Sequence, residues 1–283
     1  MNTRVKGFIY LLLSAVYFGF MPLLVKVICA DGSTIVGALF LRFSLAIIPL
    51  YIYLKVRKVP MELSKEDGKK ILCVTVFGYG ITALLLYSAY NYMPSGMATV
   101  IHFGYPVFGS LIFLRRRVPK LKIVCVGLCM IGIFLSYAGS GGEAKPMGFV
   151  FALISGMTYA FYILYLEVGG LQDIPAMKMI FYMNTVGSIM VFLIGKVSGS
   201  FVLHMNVNAW IAAFVLSLGA AFIGVGFFQY GVQYVGAQDA AILSTFEPVT
   251  SMIVGIIVLH ERASLSSMAG CILILISVTA TAF

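Results

Sequence analysis

Two ionisable side chains, Arg42 and Glu247, stand near the middle of long apolar runs. A charge at that depth in a bilayer costs roughly 2.5–3.5 kcal/mol on insertion scales, and is retained where it meets a partner, a substrate or a proton. A guanidinium there suits an anionic group, and a carboxylate suits a cationic group or a proton. The plainer alternative is a permanent Arg42–Glu247 ion pair that fixes two helices together. His102, three residues before Tyr105, reads either as a neutral hydrogen-bonded side chain or as a proton relay, since imidazole titrates near neutrality. Glu247 and His102 are thus the candidates for proton coupling. Tyr79, Tyr87, Tyr90, Asn91, Tyr105, Tyr159, Tyr162, Gln229 and Gln233 are of the type that lines a cavity for an amphipathic or aromatic metabolite. The plainer account of such tyrosines is interfacial belts, and it covers Tyr90, Tyr92 and Tyr234 at the ends of their runs. Lys26 and Glu167 read as snorkelling anchors, with gate residues as the alternative. Pro22, Pro106 and Pro248 each remove a hydrogen bond from an apolar run and are candidate hinges. Gly78-x-Gly80 and Gly224-x-Gly226 permit bending or close helix approach.

The composition states what kind of element must hold these groups. Of 283 residues, 61% are hydrophobic and 10% charged, with a mean hydropathy of +1.04. A soluble domain carries roughly 45–50% apolar and about 25% charged residues. A lone soluble domain, a disordered chain and a secreted disulfide scaffold are excluded, and the solvent for most of the chain is lipid. The net charge of +9 sits between apolar runs, which is a topology signal rather than a nucleic-acid surface. Five cysteines lie in or beside those runs and read as small apolar side chains. Cys125 and Cys129 share a helix face, but no His, Asp or Glu stands near them to complete a zinc set. His260-Glu261 begins like a zinc-protease helix and lacks the second His. No Walker loop, membrane aspartate pair or Ser/His/Asp set at one depth is present, so neither catalysis nor a cofactor or metal is expected.

A bilayer core about 30 Å thick needs roughly 20 apolar residues of helix. That ruler gives ten spans: 5–29, 33–54, 70–92, 95–114 and 121–138, then 147–168, 176–195, 209–234, 237–259 and 265–283. A polar, glycine-rich linker at 139–145 separates the two fives, giving repeats at 1–138 and 146–283. The basic N-terminal start reads as an uncleaved first helix, because the run that follows is too long for a signal peptide. With the N-terminus in the cytoplasm, 14 of the 19 Lys and Arg residues fall in cytoplasmic segments and three outside. Lys26 and Arg42 remain within spans. This asymmetry puts both termini in the cytoplasm of a plasma membrane, a bacterial inner membrane by expectation.

The halves resemble each other at an offset of 141–142 residues: 14–26 lines up with 155–167, and Tyr92, Ala98 and Pro106 match Tyr234, Ala240 and Pro248. Arg42 falls opposite Asn184, and Tyr105 opposite Glu247. Five is odd, so the second copy enters the membrane upside down. The expected fold is an all-α integral membrane protein of ten transmembrane helices in two inverted five-helix repeats. Inverted repeats with a site between them at mid-membrane characterise secondary transporters. A channel or membrane receptor is the competing class.

The segment 247–262, EPVTSMIVGIIVLHER, followed by Gly270 and a last apolar run, resembles the C-terminal signature of EamA-type proteins of the drug/metabolite transporter superfamily. A degraded copy, YPVFGSLIFL, occupies 105–114, and Leu41-Arg42-Phe43 and Lys26 also fit the pattern. One departure is Arg115, Arg116 and Arg117, standing where the family usually carries an acidic residue. The resemblance implies a ten-helix exporter, less often an importer, of small metabolites. The expected partners are a small-molecule substrate, the lipid bilayer and protons.

Overall fold

The computed structural model describes residues 3–105, 120–139, 142, 144–236, 240 and 243–281, and every element among them is helical. The first half holds α1 (Thr3–Ala30), α2 (Ile35–Val56), α3 (Lys65–Ala89), α4 (Ser95–His102) and α5 (Lys120–Ala138). The second holds α6 (Pro146–Val168), α7 (Ala176–Val197), α8 (Val207–Val235), α9 (Phe246–Ile257) and α10 (Leu265–Thr281). Six of them, α1, α2, α3, α6, α7 and α8, are long and apolar enough to cross a membrane. Their outward faces carry Ile48, Ile52, Phe77, Ile189 and Ile211 in the open, a surface suited to hydrocarbon and not to water. Side-chain caps start several helices where polar residues interrupt the apolar runs. Gly37 N–H donates to Thr34 Oγ1 at 3.0 Å, Asp67 N–H to Ser64 Oγ at 3.0 Å and Ala209 N–H to Asn206 Oδ1 at 3.1 Å, satisfying donors that a helix start leaves over.

The packing is that of two equivalent halves. Helix α1 lies on α8 and α9, and its counterpart α6 lies on α3 and α4; α2 packs on α7, α4 on α9 and α5 on α10. Each of these contacts maps onto itself or onto another when the halves are exchanged. Equivalent helices run antiparallel. Along α2 and α7, Val36 meets Gly195, Phe43 meets Gly187 and Tyr51 meets Phe181. In the pair α5 and α10, Gly132 and Gly270 face each other, and Ser136 lies against Ser267. A contact made twice shows the same relation: Gly7 abuts Tyr234, and Gly148 abuts Tyr92.

Two features depart from uniform spans. Helices α3 and α8 each contain a π-helical turn, at Thr75–Gly80 and Gly219–Gly224, in the glycine-containing stretches. A π turn inserts an extra residue, rotates the side chains after it and is common at functional sites. Tyr17 Oη and Ser14 Oγ on α1 donate to the carbonyls of Val215, at 2.5 Å, and Gly224, at 2.6 Å, flanking the π turn of α8. The apolar runs at 95–114 and 237–259 are also interrupted. Helix α4 stops at His102 and turns through Phe103 and Gly104, and the chain turns at Thr245 before α9. These breaks, 142 residues apart, each come shortly before a proline, Pro106 or Pro248. A proline has no N–H for the carbonyl four residues back, here that of His102 or Ser244.

Candidate functional site

A cavity of about 370 Å³ lies between the halves and is walled by residues of α1, α2, α3, α4, α6, α7, α8 and α9. Arg42, Tyr79, His102, Tyr105, Tyr159, Tyr162, Gln229 and Glu247 all line it. Asn91 does not: α3 ends at Ala89, and Asn91 sits exposed in the turn that follows. Tyr90, read from its place near a span end as part of an interfacial belt, is buried instead. It lines the cavity, stacks on Tyr87 at 5.8 Å and lies 3.3 Å from Thr99 Oγ1. Tyr92 and Tyr234 are exposed at helix ends.

Arg42 projects from the middle of α2. Its Nη1 donates to Tyr87 Oη at 3.0 Å, and the guanidinium carbon lies 5.6, 5.8 and 5.4 Å from the rings of Phe43, Tyr79 and Tyr87. Ring faces attract a cation and leave it without a counter-charge. Nε is buried and has no hydrogen-bond partner, and Arg42 is in no ion pair among the described residues. A permanent Arg42–Glu247 bridge is therefore not what holds the helices together. Ser217 Oγ on α8 donates to the Arg42 carbonyl at 2.7 Å and ties α2 to the other half.

From Arg42 an aromatic wall runs across the cavity, backed by Phe43, which is fully buried behind it. Phe43 and Tyr79 are 5.4 Å apart between ring centres, Tyr79 and Tyr162 5.8 Å, Tyr162 and Tyr159 5.4 Å, and Tyr159 and Tyr105 4.6 Å edge to face. His102 is buried against Tyr159 at 5.2 Å, with Nδ1 3.0 Å from Ser155 Oγ. Glu247 lies in the first turn of α9, where the helix dipole favours a carboxylate. Pro248 follows it in that same turn, where a missing N–H breaks no helical bond. Pro22 lies inside a continuous α1, and Pro106 lies outside the described residues.

Beyond one end of the cavity the chain is latched. Lys26 Nζ at the end of α1 lies 2.5 Å from Glu261 Oε1, which also accepts from Ser95 N–H at 2.9 Å and Ser95 Oγ at 2.7 Å. Glu261 Oε2 accepts from Gly96 N–H at 3.4 Å. The carboxylate thus caps the first turn of α4, where backbone donors and the dipole both favour an anion. Lys26 is not a free snorkelling anchor; its ammonium is spent on the other half of the molecule. The side chain of Glu167, and Arg115, Arg116 and Arg117, lie outside the described residues. At the opposite end the wall is formed by Leu166, Ala176 and Met179 of α6 and α7. Sequence reasoning missed Glu261 as a contact across the halves, and missed Thr82, Thr99 and Ser244 in the wall; the glutamate's place in the 247–262 segment was the available signal. No group of His, Cys, Asp and Glu suited to a metal ion is found among the described residues.

The EamA-like transporter family model matches residues 5–138 and again 146–283. The chain is 26% identical to the uncharacterized transporter YcbK of Bacillus subtilis (strain 168), covering 94% of this chain and 89% of that one. It is 29% identical to YvbV of the same organism, over 74% and 68% of the two chains. It is 23% identical to the uncharacterized transporter sll1319 of Synechocystis, over 98% and 93%. A solved crystal structure of a protein superposes with a TM-score of 0.63 over 99% of this chain and 96% of that one, at 15% identity, which speaks to the fold alone. With one family model matched twice in succession and transporters related to it along nearly its whole length, this chain belongs to the EamA-like transporter family of membrane proteins.

Proposed function

We propose that the protein is a secondary transporter that exports small metabolites or amphipathic compounds by alternating access. In this reading ten transmembrane helices form two inverted five-helix repeats, 1–138 and 146–283, joined by the linker 139–145. The observation that carries it is a polar, aromatic-walled cavity between antiparallel equivalent halves, with the Lys26–Glu261 latch beyond one end. Two equivalent halves can exchange conformations, closing one end as the other opens. The excess of basic residues puts both termini, and the α6–α7 end of the cavity, on the cytoplasmic side of a plasma membrane. The latch then faces outward.

Arg42 meets an anionic group of the substrate. Its unpartnered Nε belongs to the edge that binds a carboxylate or phosphate side-on. Glu247 meets a cationic group or a proton, and with His102 it provides the groups for proton coupling. The aromatic wall accepts the apolar body of the substrate. Hinge motion is assigned to Pro22, Pro106 and Pro248, of which the latter two flank the interrupted helices.

The test is a metabolite-uptake screen with purified protein in liposomes, followed by counterflow of the hits and by Glu247→Gln. Saturable counterflow supports a carrier, and single-channel currents would support a pore in its place. Proton-driven transport by Glu247→Gln equal to that of the parent would remove Glu247 from coupling.

A further inference from the structure

We infer that His102 is locked as the Nδ1–H tautomer by Ser155, so that its Nε2 is a hydrogen-bond acceptor in the cavity and selects substrates bearing an N–H or O–H donor. The selectivity half of this inference rests on the transporter reading; the tautomer half does not.

The argument is a proton count around one hydroxyl. Ser155 Oγ lies 2.7 Å from the Ala152 carbonyl and 3.0 Å from His102 Nδ1. A carbonyl only accepts, and a hydroxyl has a single proton to give. With that proton on Ala152 O, the shorter of its two contacts, the contact to the ring is completed by an Nδ1 that carries a hydrogen and donates it to the serine lone pair. A neutral imidazole with its proton on Nδ1 has its free lone pair on Nε2. The ring is buried, its neighbours are Phe103, Tyr105 and Tyr159, and no carboxylate hydrogen-bonds to it among the described residues. That environment favours the neutral form. Ser155 is a positioning residue, and His102, which lines the cavity, is the one that meets substrate.

With the repeats exchanged, the equivalent positions hold hydroxyls in place of a ring nitrogen. Ser14 takes the place of Ser155 and spends its proton on the Gly224 carbonyl at 2.6 Å. Ser244 takes the place of His102 and spends its own on the Ala240 carbonyl at 2.8 Å. The two helix breaks, alike in backbone, thus present different chemistry. One offers a neutral acceptor at His102 and the other a carboxylate at Glu247. A protonated amine or a hydroxyl of the substrate matches the first.

The chain has three histidines, so ring nitrogen resonances of protein labelled with nitrogen-15 in histidine and held in lipid nanodiscs can be assigned with His102→Asn. The expected spectrum has a protonated Nδ1 and an unprotonated Nε2 at His102, and Ser155→Ala moves it toward the other tautomer. A protonated Nε2 in the parent, or a spectrum that Ser155→Ala does not move, overturns the tautomer whatever the protein transports. For selectivity, His102→Asn keeps a group at the Nδ1 position and deletes the acceptor, whereas His102→Gln keeps an amide near Nε2. Loss of one hydrogen bond in a buried site is expected to raise the half-saturation concentration in counterflow about tenfold for His102→Asn, with His102→Gln close to the parent. Equal affinity in both variants and the parent would overturn the selectivity role, and absence of any transport would overturn it together with the transporter reading, leaving the tautomer to the spectrum.

Discussion

Replacing Glu261 by glutamine keeps the shape of the latch and removes its charge. Oε1 holds three donors at 2.5, 2.9 and 2.7 Å, and Oε2 holds a fourth at 3.4 Å. A charge-assisted hydrogen bond contributes about 1.5–3 kcal/mol, and a carboxylate at a helix start about 0.3–1 kcal/mol. The Lys26 side chain is 31% exposed and that of Glu261 10%, so the ion pair itself is discounted for solvent screening to about 1 kcal/mol. An amide retains part of the hydrogen bonding. The net loss is therefore about 2 kcal/mol, which is roughly thirtyfold in the ratio of closed to open latch. The assay uses Thr99→Cys in a background freed of the five native cysteines. Thr99 is buried on the cavity wall one turn inside Ser95, and an impermeant maleimide reaches it from the latch side only when the latch is open. Its modification rate in Glu261→Gln is expected to rise roughly thirtyfold. In Lys26→Gln, which loses the pair and keeps the helix cap, the expected rise is roughly fivefold. An unchanged rate in a folded Glu261→Gln protein would refute the latch, and equal rates in the two variants would refute the capping share.

Arg42→Lys keeps a charge and loses the planar guanidinium that hydrogen-bonds Tyr87 and lies among three rings. Counterflow should show roughly tenfold weaker half-saturation, and parental affinity would count against Arg42 as the anion site. Tyr17→Phe deletes the donor to the Val215 carbonyl beside the π turn of α8. It should cost about 1 kcal/mol, read as a lower thermal midpoint in detergent, and an unmoved midpoint would show that water replaces the contact. In Gly270→Ala the new Cβ would stand 2.5 Å from the Gly132 carbonyl oxygen and 2.5 Å from the Ser136 backbone nitrogen. Backbone atoms cannot step aside as a side chain can, so overpacking should cost about 1–3 kcal/mol or more. A thermal midpoint equal to that of the parent would contradict this packing of α5 on α10.

Much of this molecule was legible because lipid imposes simple rules. Apolar runs of the required length had to be helices, and Arg42 and Glu247 stood out because little else in those runs is charged. The polar and aromatic side chains that converge on the cavity, from Tyr79 to Gln229, were legible for the same reason. The helix breaks were not. Pro106 and Pro248 announce a lost hydrogen bond, but whether the chain kinks or stops depends on what the freed carbonyl and the neighbouring helices do. That uncertainty in helix ends also misled at the end of α3. An error of three residues there put Asn91 on the cavity wall and left Tyr90 readable as part of an interfacial belt, the reverse of what is found. The latch depends on a contact between Ser95 and Glu261, 166 residues apart, that no local pattern encodes. The 247–262 segment marks Glu261 as unusual, and only the docking of α4 against α9 shows what it caps.

The exchange of the cavity between two ends is the claim on which the rest depends. The direct measurement is paired: impermeant-thiol modification of Thr99→Cys from the latch side and of Met179→Cys from the α6–α7 side, each with and without Glu261→Gln. The account predicts reciprocal change, Thr99→Cys gaining reactivity as Met179→Cys loses it. Both positions becoming more reactive together would describe a pore or a loosened bundle, and would contradict it.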